Sequence, residues 1–313
     1  MNKIRVSLTG GLGNQLFQLA CALSNGNQIE LITGLGNPRV SKIGHVDLGG
    51  FALPSSVIFE DHIKYTWLSK KAVGYLLRAG LEPKFVEKVW GFSLIAKTLG
   101  SIILTLESKR RTIICNSKDV GFSKLNTVGS STLLVGYFQT YKWAEKSATL
   151  QILKNIHLKN LNEVVELYKI KAKVDLPLIV HIRLGDYRYE PKFGALENKY
   201  YEKALKIEMA KGVYKRIWIF SNEPKEALNY IPAEYINLCD LIDYPDLSSA
   251  EVMEIMRLGY GYIIANSTFS WWGAFLTYND NAPVIAPEPW FKSLKSPNEI
   301  LPKNWLTLAP WSN

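Results

Sequence analysis

The chain reads as an α/β protein with parallel sheets, and three observations predict it. Short apolar runs alternate with amphipathic stretches along most of its length. From residue 178 to 265 the order is strand, helix, strand, helix, strand. A glycine-rich turn, Gly10-Gly11-Leu12-Gly13, links an apolar strand to an apolar helix, and such turns let a backbone approach a ligand closely. With 313 residues and 47% hydrophobic content there is core enough for two domains of ordinary size. Their boundary is expected near residues 171–175, where a charged run precedes Pro177. The domains are then 1–172 and 173–313, the last residues being candidates for packing back on the first.

Residues 4–9 read as the first strand, 10–15 as the turn, 16–23 as a helix with an apolar stripe and 28–33 as a second strand. Gly11 and Gly13 are positions of close ligand approach, and Asn14 and Gln15 add two amides suited to a polar ligand. A dinucleotide turn with Glu30 as the ribose-binding acid is the competing reading. Leu16 stands where that motif needs its third glycine.

Residues 178–182 (Leu-Ile-Val-His-Ile) read as a buried strand that ends at Gly185-Asp186. His181 and Arg183 share a face, because strand side chains repeat every two residues. An Arg at such a strand end suits bidentate recognition of a phosphate; the alternative is an Arg183–Asp186 ion pair that closes the turn. His181 either hydrogen-bonds at that site or is satisfied by backbone. Residues 199–209 are a helix by spacing, 216–220 a strand, and 247–256 a helix opened by Ser248 or Ser249.

A short strand at 262–265 then runs into Asn266-Ser267-Thr268-Phe269-Ser270, and 271–276 has helical character. Asn266, Ser267 and Thr268 fall at N-cap and first-turn positions. Capping needs one hydroxyl, and this turn supplies three, from Ser267, Thr268 and Ser270. Free N–H groups, the helix dipole and those hydroxyls together make an anion site. The alternative is a plain cap, with Trp271 and Trp272 filling core.

Three segments together resemble the signature motifs of the α-1,2-fucosyltransferases, glycosyltransferase family 11. They are Gly10-Gly-Leu-Gly-Asn-Gln-Leu-Phe-Gln18, His181-Ile-Arg-Leu-Gly-Asp-Tyr187 and Ile264-Ala-Asn-Ser-Thr-Phe-Ser-Trp-Trp-Gly273. Gly136-Tyr-Phe-Gln139, Tyr200-Tyr201, Ile219-Phe-Ser-Asn222, residues 284–291 and Pro302-Lys-Asn-Trp305 agree in order. The resemblance spans nearly the whole chain and is weakest at 60–130. Two departures stand out: Leu184 replaces a frequent second Arg, and Asn222 replaces an acid.

The resemblance implies a GT-B-type architecture, two Rossmann-like domains facing across a cleft. It implies an inverting transfer of L-fucose from GDP-β-L-fucose to the 2-hydroxyl of a terminal galactose, on an oligosaccharide of the lipid-linked, O-antigen-like kind. The C-terminal domain would bind the nucleotide, with Arg183, Asn266, Ser267, Thr268, Phe269 and Ser270 around the diphosphate. The N-terminal domain would hold the acceptor, while Gly11 and Gly13 would belong to the binding site of the GDP-fucose donor. Asn14, His181 and Arg183 are the candidates for chemistry.

No Asp-x-Asp triplet occurs; Asp240 and Asp243 are three apart, and four His and three scattered Cys suggest no metal cluster. Neither metal nor cofactor is expected, so Arg183 and the 267–270 turn would do the work of a cation, as in related fucosyltransferase families. Two rivals remain: an NAD-dependent oxidoreductase using Gly11, Gly13 and Glu30, and a saccharide- or nucleotide-binding protein without turnover. The intact set of Asn14, His181, Arg183 and 267–270 speaks against the latter.

Charge is uneven. Residues 1–156 carry 19 Lys and Arg against 9 Asp and Glu, the remainder 18 against 19. The basic, aromatic stretch at 64–124 suits either an anionic membrane surface or a core helix with a solvated face. No nucleic-acid module accompanies it. A strand within four residues of the start leaves no room for a signal peptide, and Cys21, Cys115 and Cys239 are far apart, as in reduced proteins. The expected location is the cytoplasm, peripheral on the inner face of a bacterial inner membrane.

Overall fold

The computed structural model describes residues 3–35, 46–61, 67–68, 70–73, 98, 102, 112–116, 121–122, 125, 131–243 and 245–312. Most of the basic stretch at 64–124 lies outside the described residues. The chain forms two compact units, Met1–His157 with Pro297–Ile300, and Leu158–Ser296 with Leu301–Asn313. The boundary expected at 171–175 is corrected. Those residues end a helix, Glu163–Asp175, that buries Val165, Tyr168 and Ala172 in the second unit, and a charged helix end resembles a linker when read locally. The segment 297–300 belongs to the first unit, where Glu299 O accepts from the Thr140 hydroxyl at 2.7 Å.

The first unit is built on β1 (Lys3–Ser7), helix α1 (Leu12–Leu23), β2 (Gln28–Thr33), β3 (Val57–Asp61), β4 (Thr112–Asn116) and β5 (Ser131–Val135). The strands pair in parallel in the order β3-β2-β1-β5-β4. Leu16, Phe17, Leu19 and Ala20 give α1 a buried face, as their spacing predicts. The helix starts at Leu12 and not at 16, so Gly13, Asn14 and Gln15 lie in its first turn. Gly11 is the extended N-cap, and the left-handed backbone that requires glycine falls at Gly10, with φ of 74°.

The second unit contains α2 (Glu163–Asp175), β6 (Leu178–Ile182), α3 (Asn198–Met209), β7 (Ile217–Ser221), β8 (Cys239–Leu241), α4 (Ser249–Met256), β9 (Gly261–Ile263), α5 (Thr268–Phe275), β10 (Val284–Pro287) and β11 (Leu306–Leu308). Its six parallel strands run β8-β7-β6-β9-β10-β11, the strand order of a Rossmann sheet. All five residues of β6 are buried, which explains an unbroken apolar strand. Ser248 caps α4 in a capping box with Glu251. The α/β expectation, with two Rossmann-like sheets, is what the structure shows. Among the described residues no helix is long and apolar enough to cross a membrane.

Candidate functional site

In an open parallel sheet the two strands flanking the reversal of strand order leave a crevice at their carboxyl ends, where ligands bind. In the second unit that reversal lies between β6 and β9. The loop after β6 carries Arg183 and the loop after β9 carries 266–270, so the structure brings two separate stretches of sequence to one crevice.

Arg183 Nη2 donates to Asp186 Oδ1 at 2.7 Å, and the guanidinium carbon sits 5.2 Å from the Tyr187 ring centre. The turn-closing ion pair is therefore present, yet it uses only one edge of the fork. Arg183 Nε is buried without a hydrogen-bond partner in the protein, so Asp186 does not use this second donor of the fork. Beside it His181 is 5% exposed, and its Nδ1 also lacks a partner. Burial first, and the Arg183 charge second, push the imidazole down to about 3. His181 is thus neutral at physiological pH and adds no second positive charge to the crevice. Its ring lies 6.4 Å from that of Phe269.

At the start of α5 the three hydroxyls part company. Ser267 is the N-cap, its side chain accepting from Phe269 N. Ser270 is fully buried and its hydroxyl donates to the carbonyls of Ser267 at 3.2 Å and Ala265 at 3.4 Å. The expectation that Ser270 presents a hydroxyl to a ligand is corrected, because helix phase turns it toward the preceding strand. Thr268 and Phe269 are half-buried at the open end of the helix. Asn266 donates to the carbonyls of Phe193 at 3.0 Å and Gly194 at 3.1 Å, while its Oδ1 is buried without a partner. Trp271 and Trp272 are fully buried, the core reading of that pair.

Sequence reasoning missed how the Arg183 loop is held. Asn222 Oδ1, at the end of β7, accepts from Leu184 N at 2.9 Å, and Tyr187 Oη donates to Asn266 O at 3.4 Å. Tyr187 and Phe193 stack with ring centres 5.6 Å apart. Asn222 could have been suspected from its place at a strand end beside the site; the aromatic pair carries no local signal.

In the first unit the reversal lies between β1 and β5. Asn14 Oδ1 accepts from Gln139 Nε2 at 2.8 Å, an amide pair joining the first turn of α1 to the loop after β5. Gln139 Oε1 is buried and unpartnered. Gln15 donates to Gly10 O and accepts from Leu48 N, and Gln18 accepts from Thr9 N and donates to Gly136 O. Both are buried scaffold of the turn, whereas Asn14 is half-buried. Gly11 is exposed and Gly13 is buried. Glu30, the acid a dinucleotide site needs, is ion-paired with Lys3. Among the described residues no group of three or more His, Cys, Asp or Glu is placed to hold a metal ion.

A doubly wound parallel sheet in Rossmann strand order, with a guanidinium, an imidazole and a helix N-terminus at its crevice, defines an α/β protein of the Rossmann type. More particularly, the chain belongs to glycosyl transferase family 11, whose family model matches residues 116–309, and it is a glycosyltransferase. It is 37% identical over 142 residues to the O-antigen biosynthesis glycosyltransferase WbnK of Escherichia coli, a match that spans 43% of this chain and 43% of that relative. It is 27% identical over 303 residues to an alpha-1,2-colitosyltransferase of Escherichia coli, covering 93% of each chain. Among solved structures, fucosyltransferase NodZ from Bradyrhizobium aligns over 88% of this chain and 93% of its own, at 13% identity and a TM-score of 0.47.

Proposed function

We propose that the chain transfers L-fucose from GDP-β-L-fucose to the 2-hydroxyl of a terminal galactose, with inversion, during assembly of an O-antigen-like polysaccharide. The observation that carries the reading is the Arg183 Nε, buried and unpartnered at the crevice where α5 starts. As the bond between the fucosyl carbon and the β-phosphate oxygen breaks, that oxygen keeps the electron pair and gains charge. Arg183 and the N–H groups of Thr268 and Ser270 are the donors available to meet it. The galactose oxygen forms the new bond on the opposite face of the fucosyl carbon and gives up its proton to solvent water. His181, neutral, supplies a hydrogen bond at the same crevice without adding charge. Asn14, in the first unit, is assigned to orienting the acceptor hydroxyl.

The mechanism proposed needs no metal, because a guanidinium and a helix N-terminus take the cation's part. Names of relatives support a deoxyhexosyl donor and an α-1,2 linkage: one is an alpha-1,2-colitosyltransferase that matches over 93% of this chain. That same match favours a second reading in which the donor sugar is colitose. The chain would work on the cytoplasmic face of the membrane, on a lipid-linked acceptor.

The test is a transfer assay with purified protein, β1,3- and β1,4-linked terminal-galactose disaccharides and chelator present, with GDP-fucose and GDP-colitose supplied separately. Product linkage is read by NMR. An α-1,2-fucosylated product in chelator is the expected result. Transfer from GDP-colitose alone would move the assignment to the second reading, and activity abolished by chelator and restored by a divalent ion would overturn the metal-free mechanism. Binding of GDP with no turnover of either donor would favour a silent binding protein.

A further inference from the structure

Helix α2 buries Val165, Tyr168 and Ala172 in the second unit, and its opposite face is apolar as well. Leu167, Ile170 and Val174, at positions i, i+3 and i+7, are 65%, 65% and 63% exposed. Leu161, just ahead of the helix, is 90% exposed. A solvated helix face ordinarily carries polar side chains, so a continuous aliphatic ridge of this kind marks an interaction surface.

Charges beside the ridge indicate what covers it. Within the helix Glu163, Glu166 and Asp175 balance Lys169, Lys171 and Lys173, so it has no net charge with which to hold an anionic surface. The signs are instead ordered along one flank. Glu166 lies toward the N-terminal end and Lys173 toward the C-terminal end, on the same side of the ridge by helical phase. When two copies of a helix pack antiparallel, ridge to ridge, equivalent flanks face each other. Placing Leu167 opposite the second copy's Val174 brings Glu166 beside the second copy's Lys173, and two-fold symmetry makes that pair twice. We propose that α2 is a self-association surface whose occupant is a second copy of this chain. The ridge is short, so the contact buries less than about 1,200 Å² in total and the dimer is reversible.

The experiment is sedimentation velocity of the full chain over a series of protein concentrations, with wild type, Ile170→Glu, Lys173→Glu and the double variant Glu166→Lys/Lys173→Glu. Wild type is expected to show a concentration-dependent monomer–dimer equilibrium. Ile170→Glu is expected to weaken it by roughly a hundredfold or more, since it places a carboxylate in the middle of the ridge. Lys173→Glu is expected to weaken it severalfold and the charge-exchanged double variant to restore it. All three substituted positions are exposed, so circular dichroism and thermal midpoints should be unchanged. A wild type that is monomeric throughout, or a dimer that Ile170→Glu leaves intact, overturns the proposal. So does a monomeric wild type that sediments with phosphatidylglycerol vesicles through Ile170, which would assign the face to lipid.

Discussion

Gly185 and Asn222 are shaped to each other. Gly185 has φ of 57°, a Cβ there would lie 2.3 Å from Asn222 Nδ2, and Asn222 Oδ1 holds the neighbouring Leu184 N–H. The loop that presents Arg183 is therefore set from a strand end 38 residues further on. Asn222→Ala leaves a buried N–H without its acceptor, at a cost of about 1–3 kcal/mol, and lets the Arg183 loop relax. Its kcat/KM should fall by about ten- to a hundredfold. Asn222→Asp retains an acceptor for Leu184 N and should recover most of the activity; equal loss in both variants would count against the positioning role. Gly185→Ala should be worse than either, as both space and backbone conformation oppose it.

Arg183 offers the sharpest test of the anion site. Arg183→Ala and Arg183→Lys should each lower turnover by about 10²–10³-fold, the Lys variant failing because a point charge does not replace a planar fork. Asp186→Asn, which removes the ion-pair partner, should leave GDP binding by calorimetry unchanged or tighter. Weakened GDP binding in that variant would show that the ion pair itself builds the site.

The depressed His181 value has a consequence for stability. Unfolded, the imidazole takes a proton near its ordinary 6.5; folded, it refuses one until about 3. The unfolded chain thus binds more protons between those values. Stability is full above about 6.5 and falls as the pH drops toward 3. From pH 7 to pH 5 this group can account for about 2 kcal/mol at most. Urea denaturation at the two pH values should show a smaller difference for His181→Gln than for wild type. The pH–rate profile above pH 5 should show no step that the His181→Gln variant removes.

Gly10→Ala tests Asn14 without touching the second unit. A Cβ at Gly10 would stand 2.3 Å from Asn14 Nδ2 and force a non-glycine residue to φ of 74°. The strain should cost about 1–3 kcal/mol in thermal or urea unfolding. Transfer should fall while the affinity for GDP stays at the wild-type value; a parallel loss of GDP binding would contradict the assignment of Asn14 to the acceptor.

Arg257 and Glu254 form an ion pair at 2.9 Å with side chains only 1% and 3% exposed. Arg257 Nε also donates to Leu276 O at the end of α5, and Glu254 accepts from the Tyr278 hydroxyl. Removing one partner strands the other charge, so Arg257→Met should destabilise by about 3–5 kcal/mol in urea, and Glu254→Gln with Arg257→Met by less. An additive double variant would show that the two charges are not coupled.

Much of this molecule was legible in its sequence because the signals are local. Two-residue periodicity and apolar runs placed β2, β6, β7 and β9 within a residue or two, and the Ser248 cap with its acid three positions on marked the start of α4. The His181-x-Arg183 and 266–270 motifs announced a strand end and a helix start. The domain boundary was not legible, because the charged end of α2 looks like a linker until Tyr168 and Ala172 are seen packed.

By itself, then, the sequence determined the α/β class and the three motif-bearing turns. Tertiary structure alone decided that those turns fall where each strand order reverses, that Asn222 holds the Arg183 loop, that Gln139 pairs with Asn14 across 125 residues, and that Ser270 points inward. The reason is range. Periodicity and turn chemistry are settled within a few residues, whereas strand order and the direction a hydroxyl faces depend on contacts between segments far apart in the chain.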